Sequence, residues 1–137
     1  MLDKLRILQV NLNKSAQATE SALQSPLDYL DTCSVNHPSF TQILPLLQDY
    51  SIRPRVLVYS ARTIQAQVTI LTDTSPDPDF LAITVKSSRT TFSIYNVYNQ
   101  LDTQGITTIE RKLLSTSILP SAILLGDFNI NHPWWDP

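Results

Sequence analysis

Glycine is nearly absent from this chain, and its scarcity excludes whole classes of binding site. The sequence has only Gly105 and Gly126 among 137 residues. Phosphate-binding P-loops, dinucleotide-binding fingerprints and the nucleophile elbow of hydrolases each need glycines at short, fixed spacings, because the backbone must turn tightly or approach a ligand closely. The two glycines lie too far apart for any of these motifs, which are therefore excluded.

Residues that form disulfides or bind zinc are also scarce. Cys33 is the sole cysteine, so an internal disulfide framework is excluded. One cysteine and two histidines cannot build a structural zinc site. No apolar run approaches the length of a membrane span, and the N-terminus lacks the apolar core of a signal peptide. We therefore expect an intracellular protein without a membrane partner, with the nucleus as one option.

The residues that are present describe a globular domain. Hydrophobic residues make up 42% of the chain and charged residues 16%, which is enough for one domain with a real core. Ten Lys and Arg oppose twelve Asp and Glu, for a net charge of -2. This is not the basic character of a non-specific nucleic-acid binder. An enzyme that acts on phosphodiesters with a metal as its main cation can still be mildly acidic.

Apolar strands alternate with a few helical segments along the chain. The pattern predicts strands at 5–11, 55–60, 65–71, 80–85, 91–98 and 122–125, and helices at 16–24 and 107–117. The strand at 65–71 is expected to neighbour the one at 55–60. The segment 27–54 is predicted to be irregular, and 72–79 to be an exposed turn rich in Pro and Asp. Together these elements predict an α/β fold of the α+β sandwich kind.

The later helix is predicted to be amphipathic. Ile109, Leu113 and Leu114 are apolar at helical spacing and should face the core. The intervening residues Glu110, Arg111 and Lys112 should then point outward.

The segment 121–137, SAILLGDFNINHPWWDP, carries the most informative polar residues. It predicts a buried strand that kinks at Gly126 and then presents Asp127 and Asn129. Residues two apart in an extended chain share a face, so these two side chains should point together while Phe128 returns to the core. A simple turn after a strand is the alternative, since Gly, Asp and Asn all favour turns.

Two other predicted strands also end in polar residues two apart. If the strands are parallel neighbours, their carboxyl ends meet at one edge of the sheet, where α/β proteins place binding sites. Carboxylate and amide oxygens there suit Mg²⁺ or a phosphate group. The three pairs are Asn11 with Asn13, Tyr98 with Gln100, and Asp127 with Asn129.

Three motifs carry a family resemblance that covers most of the chain: LRILQVNLN, SIYNVYNQ and ILLGDFN. They closely resemble the endonuclease/exonuclease/phosphatase superfamily, and in particular the apurinic-type endonuclease domain of non-LTR (LINE-type) retrotransposons. The segments HPSF, RPRVLVY and HPWWD are similar to the same branch. The resemblance implies a β-sandwich flanked by helices, DNA as the partner, and Mg²⁺-assisted hydrolysis of a phosphodiester.

The resemblance also implies roles for individual residues. Asn11 would belong to the metal and phosphate site, with Asn13 nearby in substrate binding. Tyr98 would donate a hydrogen bond to a phosphate oxygen. Asp127 would align or activate the attacking water, and Asn129 would hold the phosphate and the transition state.

Departures from the family pattern limit the expected activity. The glutamate that is the family's main metal ligand is missing, since Glu20 and Glu110 both fall in predicted helices. Asp28 and Asp31 are the remaining alternatives for its role. Residues 1–137 are therefore expected to form a single incomplete domain, with an internal deletion around 27–37 and without the C-terminal half that carries the catalytic histidine.

Neither histidine is expected to replace the catalytic one, because His37 precedes a proline in a loop and His132 directly follows the GDFN segment. Trp134 and Trp135 are predicted to pack, with base stacking as the alternative. Negligible nuclease activity is the expectation. Two non-catalytic alternatives stay open: a retrotransposon-derived remnant, and a module that binds phosphate or nucleic acid without cleaving it.

Overall fold

A four-stranded mixed sheet is the centre of the structure. The computed structural model describes residues 28–29, 35–36, 38–73 and 75–129. Strands β5, β6 and β7 are antiparallel neighbours, and β8 pairs in parallel with β7. The sheet is open, and the fold is of the mixed α/β type. The strands are β1 (Asp28–Tyr29), β2 (Val35–Asn36), β3 (Phe40–Ile43), β4 (Val58–Ala61), β5 (Gln67–Ile70), β6 (Phe80–Lys86), β7 (Thr91–Tyr98) and β8 (Ala122–Asp127).

The two central strands are apolar on both faces, and each face has its own cover. Leu81, Ile83 and Ile94 project from one face and pack against Val56 beside the antiparallel pair β3–β4. We call this the β3–β4 face. The opposite face carries a second cluster, which packs against Leu113 from the connection between β7 and β8. We call this the helix face. Because both faces of the sheet are covered, β6 and β7 carry apolar side chains on both faces, and do not alternate between apolar and polar residues.

A short helix, Ile109–Leu113, lies in the connection between the parallel strands β7 and β8. We call it the crossover helix. Its first turn is stabilised reciprocally: Thr107 N–H donates to Glu110 Oε2 over 2.8 Å, and Glu110 N–H donates to Thr107 Oγ1 over 3.2 Å. This exchange is a capping box. The helix is π-type, and Leu114 N–H donates to the carbonyl of Ile109 five residues earlier.

The helix predicted at 107–117 spans only Ile109–Leu113. The prediction was correct about part of its apolar side and wrong about its polar side. Ile109 and Leu113 pack into the helix face, and Glu110 is exposed, as expected. Leu114 is exposed, whereas Lys112 is buried and Arg111 is largely covered. A 3.6-residue period misassigns faces where hydrogen bonds span five residues.

The pairing of the strands that precede β6 in the chain also differs from the prediction. The segment 27–54, expected to be irregular, contains β3 and the two-residue strands β1 and β2. The strand β4 pairs with β3, and β5 pairs with β6, so β4 and β5 are not neighbours. Short apolar runs reveal a strand but not its partner, because pairing depends on packing against distant parts of the chain.

Some predictions lie outside the described residues. These are the strand at 5–11, the helix at 16–24 and the side chains of Asp28 and Asp31. Within the described ranges, no helix is long and apolar enough to cross a membrane.

Candidate functional site

Three elements of the sheet come together at one end, which we call the pole and define by Asp79, Tyr98, Asp127 and Asn129. Tyr98 and Asp127 are the last residues of the parallel strands β7 and β8 and are register partners. Asp79 directly precedes β6, and its carbonyl accepts the backbone N–H of Tyr98 over 2.9 Å. Neighbouring strands lie about 4.8 Å apart, so these residues form a short row across the sheet.

Tyr98 and Asp127 share the β3–β4 face. Tyr98 is partly buried against the apolar cluster of that face, and so is Leu125, two residues before Asp127. Register partners on parallel strands project from the same face, so the phenol and the carboxylate stand side by side. The structure thus brings together two of the predicted site residues.

The segment after β8 folds back onto the strand ends. Asn129 has a left-handed backbone, with φ of 45°, and its N–H donates to Asp127 Oδ1 over 3.3 Å. Its side-chain amide Nδ2 donates to the carbonyl of Asn99 over 2.9 Å. Phe128 packs into the helix face, as predicted. Residues 127–129 therefore form a turn that both strand ends hold, which is the alternative predicted from the sequence, and they are not an extended segment.

Gly126 has a different role from the predicted kink. The strand β8 runs through it to Asp127, and its φ is 146°. The burial predicted for this strand was wrong, because β8 lies at the edge of the sheet and leaves Ala122, Ile123 and Leu124 exposed. A Cβ added there would lie 1.9 Å from the carbonyl oxygen of Val97. Glycine is needed because the backbones of β7 and β8 approach too closely for any side chain.

Asn99 organises the pole, although no role was predicted for it from the sequence. It is only 5% exposed. Its Nδ2 donates to the carbonyl of Phe128 over 2.8 Å, and its Oδ1 accepts the N–H of Ile109 over 3.1 Å. Its backbone N–H donates to the carbonyl of Asp127 over 2.8 Å. One side chain therefore links the end of β7, the segment after β8 and the crossover helix.

A buried ion-pair cluster supports the pole from beside β6. The carboxylate of Asp79, 1% exposed, accepts two hydrogen bonds from Arg55, of which Nη2 to Oδ2 measures 2.6 Å. Arg111 Nη2 donates to Asp79 Oδ2 over 2.9 Å, and Arg111 Nε donates to Asp77 Oδ2 over 2.9 Å. The segment 72–79 was predicted to be an exposed turn, and for Asp77 and Asp79 this was wrong. Two guanidinium groups compensate the buried carboxylates.

The charges of the cluster balance one another. Hydrogen bonding to Asp77, followed by the attraction of both carboxylates, raises the pKa of Arg111 above its usual value despite partial burial. Two arginines face two aspartates, so the cluster is neutral as a whole. Asp127 adds one further carboxylate at the pole.

Arg55 connects this cluster to Tyr98. Its guanidinium carbon lies 5.6 Å from the centre of the Tyr98 ring, a cation–π distance. Its backbone N–H donates to the carbonyl of Pro78 over 2.7 Å. Nearby, Asn96 Nδ2 donates to the carbonyl of Leu57 over 3.1 Å, so the segment 55–57 is fixed along β7.

No family model, curated protein or solved structure matches this chain. The assignment of function therefore depends on the residues of the pole and their geometry.

The pole offers few oxygen ligands for a metal ion. Asp127 supplies one carboxylate and Asn129 one amide, whereas the carboxylate of Asp79 is occupied by two arginines. No three His, Cys, Asp or Glu groups cluster within the part of the chain that is described. Mg²⁺ in phosphate-processing sites is commonly held by one or two carboxylates together with substrate phosphates. The described residues fit a weakly held Mg²⁺ that depends on a bound phosphate.

Glu110 does not contribute to the pole. Its carboxylate accepts the backbone N–H of Thr107, and this bond is the largest cause of a lowered Glu110 pKa. Gln100, predicted to pair with Tyr98, is half-buried, and its backbone exchanges hydrogen bonds with Thr108 over 3.1 and 3.4 Å. The predicted site residues Asn11 and Asn13 lie outside the described residues, as do both histidines and both tryptophans.

Sequence signals for the missed residues were weak but present. Asn99 directly follows the apolar strand β7, between the two polar residues Tyr98 and Gln100. Arg55 begins the predicted strand at 55–60 and lies in the RPRVLVY segment, but the observed strand begins only at Val58 and leaves Arg55 in the preceding loop. Asp79 is flanked by Pro78 and Phe80, and the proline favoured a turn assignment.

Proposed function

We propose that the pole is a nuclease-type phosphodiester site that binds nucleic acid and has negligible turnover in this chain. In this proposal the described sheets belong to a β-sandwich of the endonuclease/exonuclease/phosphatase type, as the motif resemblance implies, with DNA as the partner.

The observation that carries the proposal is the juxtaposition of Tyr98 and Asp127 on one face, at the carboxyl ends of two parallel strands. Binding sites of α/β sheets occur at such ends. The Tyr98 hydroxyl can donate to a phosphate oxygen. Asn129, held beside Asp127 after the end of β8, can supply a second polar contact. A phenol and an amide beside one carboxylate match a phosphodiester better than they match an apolar ligand.

A divalent cation has a defined place in this arrangement. Asp127 and Asn129, together with oxygens of the bound phosphate, would hold Mg²⁺, and the ion would offset negative charge on the phosphate. The protein side chains position the reactants: Tyr98 orients the phosphate, and Asp127 orients a water molecule next to it.

Efficient hydrolysis needs more than the pole provides. From the sequence, neither His37 nor His132 is expected to act as the catalytic histidine, and the Glu110 carboxylate is committed to the crossover helix. Loss of a general acid or base costs about 10²–10⁴ in rate. We therefore expect binding without appreciable turnover.

Binding of a fluorescent DNA duplex, measured by anisotropy at low salt with and without Mg²⁺, tests the proposal. Tyr98→Phe removes one hydroxyl and keeps the ring, and should weaken binding about tenfold, since a hydrogen bond to a charged group is worth about 1.5–3 kcal/mol. Tyr50→Phe is the matched control, because Tyr50 is 96% exposed in a loop and should change nothing.

A parallel cleavage assay uses nicked, abasic and supercoiled DNA with Mg²⁺. The expected result is no turnover above background. Turnover that Asp127→Ala abolishes would contradict the expectation of an inactive site. Absence of any DNA binding by the wild-type protein would reject the proposal and favour a non-binding remnant.

A further inference from the structure

The side chain of Arg55 is held more rigidly than an ion pair alone requires. Asp79 engages its Nε and Nη2, the backbone N–H of Arg55 is anchored to Pro78, and the guanidinium lies over the Tyr98 ring. A guanidinium group has five N–H donors in a fixed plane. Asp79 uses two of them, so three are left for other acceptors.

Burial of Asp79 explains only part of this arrangement. Arg111 already donates to the same carboxylate over 2.9 Å and is 19% exposed at its side chain. Arg55 closes the opposite side of Asp79 and is 31% exposed. The more accessible of the two arginines is thus the one that lies over Tyr98.

The position of Arg55 places its remaining donors beside the proposed phosphate site. Tyr98, under the guanidinium, is the register partner of Asp127 in the next strand. Strand spacing puts the two backbones about 4.8 Å apart. A phosphate that accepts a hydrogen bond from the Tyr98 hydroxyl would lie within the reach of an arginine stacked on the same ring.

We propose that Arg55 is a preorganised phosphate-binding residue of the pole, with Asp79 as its positioning residue. The inference rests on the function proposed above and adds the cationic group that recognises the nucleic-acid backbone. Planar arginine forks are well suited to phosphate oxygens. A rigid donor loses little conformational entropy on binding.

Salt-dependent binding of a fluorescent DNA duplex tests the inference with three variants. Arg55→Met should weaken binding roughly tenfold and reduce the slope of log affinity against log salt by about 0.9, the value for one lost phosphate contact. Arg55→Lys keeps the charge but loses the fork, so the slope should stay near wild type while affinity falls severalfold. Arg89→Met is the matched control, since Arg89 is exposed in the turn at the opposite end of the sheet; it should alter neither quantity.

A purely structural role for Arg55 gives a different result. The urea midpoint would fall in Arg55→Met, while the folded protein would bind DNA with wild-type affinity and slope, and the inference would be overturned. Unchanged binding in Arg55→Met together with weaker binding in Tyr98→Phe would reject the role of Arg55 and leave the proposed function standing. Failure of the wild-type protein to bind DNA would reject both. If Arg55→Met does not fold, wild-type affinity in Arg55→Lys overturns the inference.

Discussion

Replacement of Asn99 by alanine should loosen the whole pole at a measurable cost in stability. The change removes the hydrogen bond to the Phe128 carbonyl and the one from the Ile109 N–H, which measure 2.8 and 3.1 Å. Each buried group left without a partner costs about 1–3 kcal/mol. Phe128 and Ile109 are half-buried, so water can compensate in part. We expect a total loss of about 2–3 kcal/mol.

Urea unfolding followed by circular dichroism measures this loss. Small domains have slopes of about 1–3 kcal/mol per molar urea, so the midpoint should fall by roughly 1–2 M with little change in slope. Asn96→Ala is the matched control: it removes one hydrogen bond, to the carbonyl of Leu57, and should cost about 1 kcal/mol. An Asn99→Ala variant no less stable than Asn96→Ala would refute the view that Asn99 joins the three elements.

Two further predictions concern the backbone and acid pH. Gly126→Ala should prevent normal pairing of β7 with β8, because the new Cβ would clash with the Val97 carbonyl. In the control Gly105→Ala the new Cβ meets nothing within 4 Å, so the positive φ alone should cost about 1 kcal/mol. Equal thermal midpoints for the two variants would contradict this prediction. The hydrogen bond from the Ile106 N–H is the largest cause of an Asp102 pKa below the ordinary value of 3.8, so the ionised carboxylate stabilises its turn fully above that value, and this stabilisation is lost as the pH falls through the lower folded pKa. In an NMR titration the Ile106 amide shift should report a pKa below 3.8, and the titration should be absent in Asp102→Asn. A midpoint above 3.8 would refute the assignment.

The central strands β6 and β7 and the edge strand β8 were predictable because their own residues specify them. The runs that form β6, β7 and β8 are apolar, bounded by turn residues and long enough to read directly. The pairing of β4 with β3 was not predictable, since four residues such as Phe40–Ile43 satisfy many partners equally well. Local composition gives the strands, whereas the order in the sheet depends on the whole chain.

The candidate site shows the same division. Alternation past the end of β8 correctly put Phe128 in the core. Asp127 lies beside Tyr98 because β7 and β8 are parallel neighbours, which the sequence offered only as a condition. Burial of Asp79 could not be foreseen from its neighbours, because its compensating arginines lie 24 and 32 residues away. A proline- and aspartate-rich segment predicts exposure by default, and only distant guanidinium groups reverse that preference.

The parallel pairing of β7 with β8 has a consequence for the order in which the protein folds. The strands β6 and β7 are joined by the tight turn Ser87–Thr90 and can pair early, whereas β8 can join only after the long crossover closes. We therefore expect β8, and with it the pole, to join the sheet after β6 and β7 have paired. A ligand that bridges Tyr98 and Asp127 would bind only the folded protein, and would therefore stabilise the pairing of β8 with β7.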